Sequence, residues 1–254
     1  MAARHDSEAC TVKTFSALRR QQVDWLELMS RRHVIHALLE FDVAHARRTL
    51  KERRREDGTA ISFTAYLVWC VARAVDADKR MHAYRSGSRR LVLFEDVDIT
   101  VLIEREVNGH RVPVPYIVRA ANRKDAAAIC AEIRGAQADP APQNRALRWL
   151  PLWLLLPAWL RRLVLSAVLS NPYRRKRLMG TVAVSAVGMF GHGRGWGIPL
   201  TAFTLCVTSG GISREGGHEL LALTLSADHD VIDGAPAARF AERLRTLVEA
   251  GLPG

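Results

Sequence analysis

One dipeptide constrains this chain more than any other local feature. Asn108-Gly109 stands between two apolar runs, Leu91 to Ile103 and Arg111 to Val118. Asn-Gly supplies the positive backbone angles of a tight hairpin, so the two runs are predicted to be antiparallel neighbours. That pairing excludes an all-parallel, doubly wound sheet, whose strands are joined by helical crossovers. Pro113 and Pro115 remove two ladder donors and make the second strand an edge or irregular one. Further β runs are predicted at Val34 to Phe41 and at about 181–187, 200–208 and 219–227.

Between them lie helices of recognisable periodicity. Phe63, Tyr66, Leu67, Cys70, Val71 and Ala74 form a core-facing stripe behind a Ser62 N-cap, and Asp42 can cap a helix that turns Ala46 and Leu50 inward. Asn122 is expected to cap a helix that carries Ile129 and Ile133 and stops at Gly135. The last helix follows Pro236 and buries Ala237, Phe240, Ala241, Leu244, Leu247 and Val248. No fixed-period repeat is present. The expected fold class is therefore α/β, mixed and two-layered.

With 254 residues, 48% of them apolar, the chain supports a real core, and disorder as the default is excluded. Its net charge of +11 favours polyanions such as nucleic acid, anionic lipid or a phosphate-rich cofactor. The basic clusters Arg53-Arg54-Arg55 and Arg174-Arg175-Lys176-Arg177 lack interleaved aromatic residues, so no nucleic-acid partner is expected. Cys10, Cys70, Cys130 and Cys206 form no CxxC pair, and the first residues lack a signal-peptide run. No metal site and a cytoplasmic location follow as expectations.

One stretch stands apart. Leu147 to Leu169 carries Trp149, Trp153 and Trp159 among many leucines, broken by Pro151, Pro157 and Arg161-Arg162. A membrane span needs roughly 20 apolar residues in a row, so spanning is not expected. Two short helices meeting at Pro157 are predicted, packed on protein or lying in a membrane surface, with contact through 147–177 as the peripheral-membrane alternative.

Chemistry is concentrated near the C-terminus. In His229-Asp230-Val231-Ile232-Asp233-Gly234 a strand ends, a turn follows and a helix begins at once. A histidine on such a rigid turn can accept a proton near neutral pH, and Asp233 can orient the local backbone or a neighbouring arginine. On residues alone, a structural histidine is the more common reading of such a position.

This segment fits HxxxDG, and Leu225-Ser226-Ala227-Asp228-His229 leading through it to Arg239-Phe240 resembles the catalytic domain of 2-oxo acid dehydrogenase dihydrolipoyl acyltransferases, in the chloramphenicol acetyltransferase-like superfamily. Ser62-Phe63-Thr64-Ala65-Tyr66, Glu95-Asp96-Val97-Asp98-Ile99, Val112-Pro113-Val114-Pro115, Ala121-Asn122-Arg123-Lys124 and Gly180 to Gly191 resemble further segments in the same order. The similarity covers roughly 25–250. It implies a chloramphenicol acetyltransferase-like fold at 25–254, behind an N-terminal arm at 1–24. It also implies coenzyme A-dependent transfer of an acyl group to a second thiol such as dihydrolipoamide. His229 then resembles the general base, Asp233 the carboxylate that keeps the loop in shape, and Ser185 the hydroxyl that donates to the oxyanion. In that family histidine and serine come from adjacent subunits, so a homotrimer is implied.

Three departures qualify the likeness. No lipoyl domain is recognisable, so a lipoyl-bearing protein would act in trans and no lipoyl group is expected on this chain. A hydrophobic helical insert at about 137–178 replaces a short loop, and Ala186 stands where the family has Asn after the motif serine. The alternative function is a non-catalytic trimeric scaffold or a membrane-surface interaction protein. Among lookalikes, Gly191 to Gly197 fails GxGxxG because Trp196 occupies the third glycine position, and reads as a turn or channel loop. Ser209 lies outside any GxSxG, and His33 and His36 lack a metal-completing neighbour.

Overall fold

A computed structural model of the chain describes residues 11–30, 32–56, 58–107, 110–138, 150–186 and 194–252. Its main sheet has six strands: β1 (Val34–Asp42), β4 (Ile99–Val107), β5 (His110–Val118), β6 (Val182–Ala186), β7 (Leu205–Glu215) and β8 (His218–Asp228). They lie in the order β1-β8-β7-β6-β4-β5, and a small hairpin of β2 (Tyr84–Ser86) and β3 (Arg90–Val92) stands beside them. β4 runs parallel to β6 and β6 parallel to β7, whereas β4/β5, β7/β8 and β8/β1 are antiparallel. β4 and β5 are antiparallel, as the hairpin reading required, and the parallel pairs make the sheet mixed. β5, with its two prolines, is an edge strand. The Asn108-Gly109 turn itself lies outside the described residues.

The register gives the sheet two unlike faces. One carries Ile99, Val182, Leu205 and Ala227 in one row and Val101, Val184, Val207 and Leu225 in the next, all buried in the main core. Helices α2 (Ala44–Glu56), α3 (Phe63–Asp76), α4 (Ala126–Ala138) and α8 (Gly234–Ala250) supply the rest of that core through Leu50, Tyr66, Ile129 and Phe240, among others. The alternate residues Thr100, Ala183, Cys206 and Ser226, then Ser185, Thr208 and Thr224, are small or polar and make the opposite face.

Three expected elements end differently. The run expected at about 200–208 starts at Leu205 and continues to Glu215 as β7. The run from Leu91 to Ile103 breaks between β3 and β4, because the bend holds two buried polar anchors. Val97 N donates to Asn122 Oδ1 at 2.9 Å, and Ala120 N donates to Asp98 Oδ1 at 2.9 Å. With its amide committed there, Asn122 does not cap α4. Asp125 does, accepting from Ala128 N at 2.7 Å, and α4 continues through Gly135. Gly180 has φ +73, and a Cβ there would meet Asp98 O at 2.7 Å, so only glycine closes this corner.

The insert forms α5 (Leu150–Leu155), α6 (Ala158–Ser170) and α7 (Pro172–Met179), with the first two meeting at Pro157 as predicted. They pack on α1 (Ala17–Met29), which runs straight across the expected 24/25 boundary. A second, smaller core joins them: Met29, Met179 and Ala202, flanked by Trp25, Leu28, Leu169 and Phe203. Polar anchors fix the packing. Arg161 donates to Asp24 at 2.6 Å with both side chains buried, Arg162 joins at 3.1 Å, and Trp153 Nε1 donates to Gln21 Oε1 at 2.5 Å. Among the described residues no helix is long and apolar enough to cross a membrane.

Candidate active site

The antiparallel pairing of β1 and β8 ends at Val34 opposite Asp228, and the residues beyond it lock together. His229 N donates to His33 O at 2.7 Å, and Arg32 pairs with the buried carboxylate of Asp228 at 2.7 Å. Asp230 accepts from Arg85 of β2 at 2.5 Å and faces His33 Nδ1 at 2.9 Å. The His33 hydrogen bond and the Arg85 charge hold the Asp230 carboxyl below the usual carboxylate range. Within the turn, Val231 N and Ile232 N both return to Asp228 O. Ile232 then plugs the main core, and α8 begins at Gly234. His229 is thus presented on a turn tied at both flanks, with its side chain 47% exposed.

Asp233 holds the N-cap position of α8 without a side-chain capping bond. Its carboxylate is 83% exposed and lies 3.8 Å from His229 Nδ1, beyond hydrogen-bond reach but within ion-pair reach of a protonated ring. Inside this chain the turn is shaped by Asp228 and Asp230. Sequence reasoning did not find Arg32, Arg85 or the tie between His33 and Asp230. Their partners are far away in the sequence, and no spacing links them. Only the carboxylates on either side of His229 gave a signal.

Ser185 sits elsewhere. It lies on the small-residue face of β6, half-buried, and lines a cavity of ≈ 770 Å³ with Trp25, Leu102, Arg119, Leu178, Phe203 and Cys206 among its walls. The register places Ser185 opposite Thr208 and Thr208 opposite Thr224, five residues before His229. Five strand residues and two strand spacings put Ser185 and His229 about 19 Å apart in one chain. No single small substrate group bridges that distance. A second hollow of ≈ 360 Å³, bordered by His36, Leu39, Gly234 and Ala241, lies between β1 and α8 on the His229 side.

The lookalikes resolve into structure. Arg194 pairs with Glu40 and Glu215, and Trp196 Nε1 donates to Leu39 O at 3.0 Å, so residues 194–197 are tied down across the sheet. His36 faces Ser226 Oγ at 2.8 Å. No group of three metal-binding side chains exists among the described residues. Cys70, Cys130 and Cys206 are buried free thiols, and burial pushes Cys70 up to about 12 and Cys206 to about 11, so neither is a nucleophile at neutral pH. Cys10 lies outside the described residues.

Against known proteins, the sequence profile of the 2-oxoacid dehydrogenases acyltransferase (catalytic domain) family matches residues 14–144 and 205–252, more than half of the chain. The chain belongs to this family of enzymes. The match includes the His229 turn and omits 145–204, where the insert, β6 and Ser185 lie. For this acyltransferase-family chain no curated protein sequence gives a match. Solved structures give the fold. A probable dihydrolipoamide acetyltransferase from Listeria monocytogenes 4b F2365 is 16% identical, with TM-score 0.67 and 95% of each chain covered. The dihydrolipoamide acetyltransferase of Azotobacter vinelandii is 16% identical with TM-score 0.65, covering 98% of this chain and 96% of that one. A chloramphenicol acetyltransferase is 14% identical with TM-score 0.52, covering 95% and 99%. The fold of this acyltransferase-family chain is therefore chloramphenicol acetyltransferase-like, as expected.

Proposed function

We propose that the protein moves an acyl group between coenzyme A and a second thiol such as dihydrolipoamide, by direct attack, at a site shared between subunits of a homotrimer. The observation that carries this reading is the contrast between a His229 exposed on a rigidly tied turn and a Ser185 about 19 Å away in the same chain, at the wall of its own cavity. Each half is built, and neither is complete alone. In the Azotobacter vinelandii enzyme a serine and a histidine belong to the catalytic mechanism. Here Ser185 and His229 offer the same pair of groups, and a second copy would bring one to the other.

The imidazole of His229 takes the proton from the attacking thiol, and the thiolate sulfur bonds to the thioester carbonyl carbon. The carbonyl oxygen becomes an oxyanion that accepts a hydrogen bond from Ser185 Oγ. Collapse breaks the old carbon–sulfur bond, and the departing thiolate recovers the proton from His229. A general base contributes about 10²–10⁴-fold and an oxyanion donor about 10²–10³-fold. Asp233, 3.8 Å from Nδ1, would pair with the ring while it holds the proton. Buried free thiols fit a reducing cytoplasm.

The test follows coenzyme A release from acyl-CoA with dihydrolipoamide as acceptor. His229→Ala is expected to lower kcat by about 10²-fold or more with unchanged folding. Co-refolding His229→Ala with Ser185→Ala is expected to restore part of the activity, because some interfaces regain both groups. Near-full activity of folded His229→Ala, or no recovery in proven hetero-trimers, rejects the mechanism.

A further inference from the structure

We propose that the insert docks this protein on an anionic lipid surface, with α5 and the outward face of α6 entering the headgroup region. Leu152, Leu155, Trp159 and Leu163 follow one another at spacings of three and four residues, and their relative exposures are 58%, 79%, 67% and 59%. The helix cannot roll to hide them, because Arg161 on its inner side is fixed to buried Asp24. Four large apolar groups are thereby held toward solvent by an ion pair, a cost that a covering partner removes.

Charge identifies the partner. Between Asp139 and Glu215 the sequence contains no Asp or Glu, and ten Lys and Arg. Arg174 and Arg177 of α7 are exposed beside Tyr173 (68% exposed). An insert that exposes apolar side chains on α5 and α6 and arginines on α7 suits a headgroup layer, where apolar groups enter the acyl boundary and guanidinium groups meet phosphate. A second copy fits less well. It would present the same insert, whose helices carry basic residues and no carboxylate, and like charges in an interface repel. The 13 residues of α6 reach about 20 Å, short of a bilayer core, so the contact lies in the surface plane. Docking does not depend on the acyl-transfer reading.

The experiment sediments the full chain with phosphatidylcholine vesicles, with and without about one-third phosphatidylglycerol, at low salt and at about 0.5 M salt. Pelleting is expected with the anionic vesicles, falling about tenfold in high salt. The surface variant Leu155→Glu with Trp159→Glu is expected to lose about tenfold or more, with the oligomer unchanged by mass photometry. Protein left in the supernatant, equal binding to neutral vesicles, or a variant that pellets like the parent would overturn the proposal. A variant that changes the oligomer would overturn it too, by assigning the face to a second copy.

Discussion

Helices α8 and α6 are both amphipathic, and they are built inside out relative to each other. On α8 the apolar stripe of Phe240, Leu244 and Val248 is fully buried, and Arg239, Glu242 and Arg243 face water. On α6 the buried residue is Arg161, and the outward positions are Trp159, Leu163 and Val164. The difference lies in what each helix packs on. α8 lies on the aliphatic face of the sheet, so transfer of apolar area from water orients it. α6 lies on α1, whose buried Asp24 accepts from both arginines, so desolvated charge orients it. A stripe of leucines therefore does not by itself say which side of a helix is inside.

The contrast can be broken most sharply at Asp24. Asp24→Ala leaves Arg161 buried without its carboxylate and is expected to cost about 3–5 kcal/mol in chemical denaturation. Replacing the pair together, Asp24→Leu with Arg161→Met, is expected to recover most of that loss. A small effect of the single change would show that α6 is oriented by something else. On α8, Leu244→Ala is expected to cost about 2–5 kcal/mol through a cavity, and no charge compensation should rescue it.

A third effect depends on pH and marks the joint where the insert re-enters the sheet. His82 is fully buried, its Nε2–H donates to Phe94 O at 3.0 Å, and its Nδ1 accepts from Thr181 Oγ1 at 3.0 Å, just before β6. Burial lowers its pKa from 6.5 to about 4. The unfolded chain binds this proton first, so stability is full above pH 6.5 and falls as the pH drops toward about 4, by about 3 kcal/mol at most. Thermal melts across that window should lose this slope in His82→Gln; an unchanged slope would assign the acid sensitivity to other groups. The smallest effect is expected at Leu163→Ala, within about 0.5 kcal/mol, since the side chain is already in water. A cost above 2 kcal/mol there would mean that the outward face is covered in solution.

Several family-like segments turned out to be joints rather than chemistry. Asp98 and Asn122 hold the bend before β4, and Ala120, at φ 46, is kept in its left-handed conformation by the bond from its own N–H to Asp98. They were legible as motifs because joints of this kind demand particular side chains at short separations. The ties around His229 were not legible, since Arg32 and Asp228 lie 196 residues apart.

By itself the sequence determined the antiparallel pairing of β4 and β5, the exclusion of β5 from a regular central position, the break at Pro157 and the turn that carries His229. These follow from periods of two and 3.6, from missing proline donors and from turn-forming residue types, all of which act over a few residues. Tertiary structure alone decided that Ser185 and His229 stand apart in one chain, that Asp228 and Asp230 tie the turn, and that α6 turns its arginines inward. Each of those outcomes depends on which distant group lies across the contact, and a buried carboxylate on another helix outweighs the local pattern of leucines.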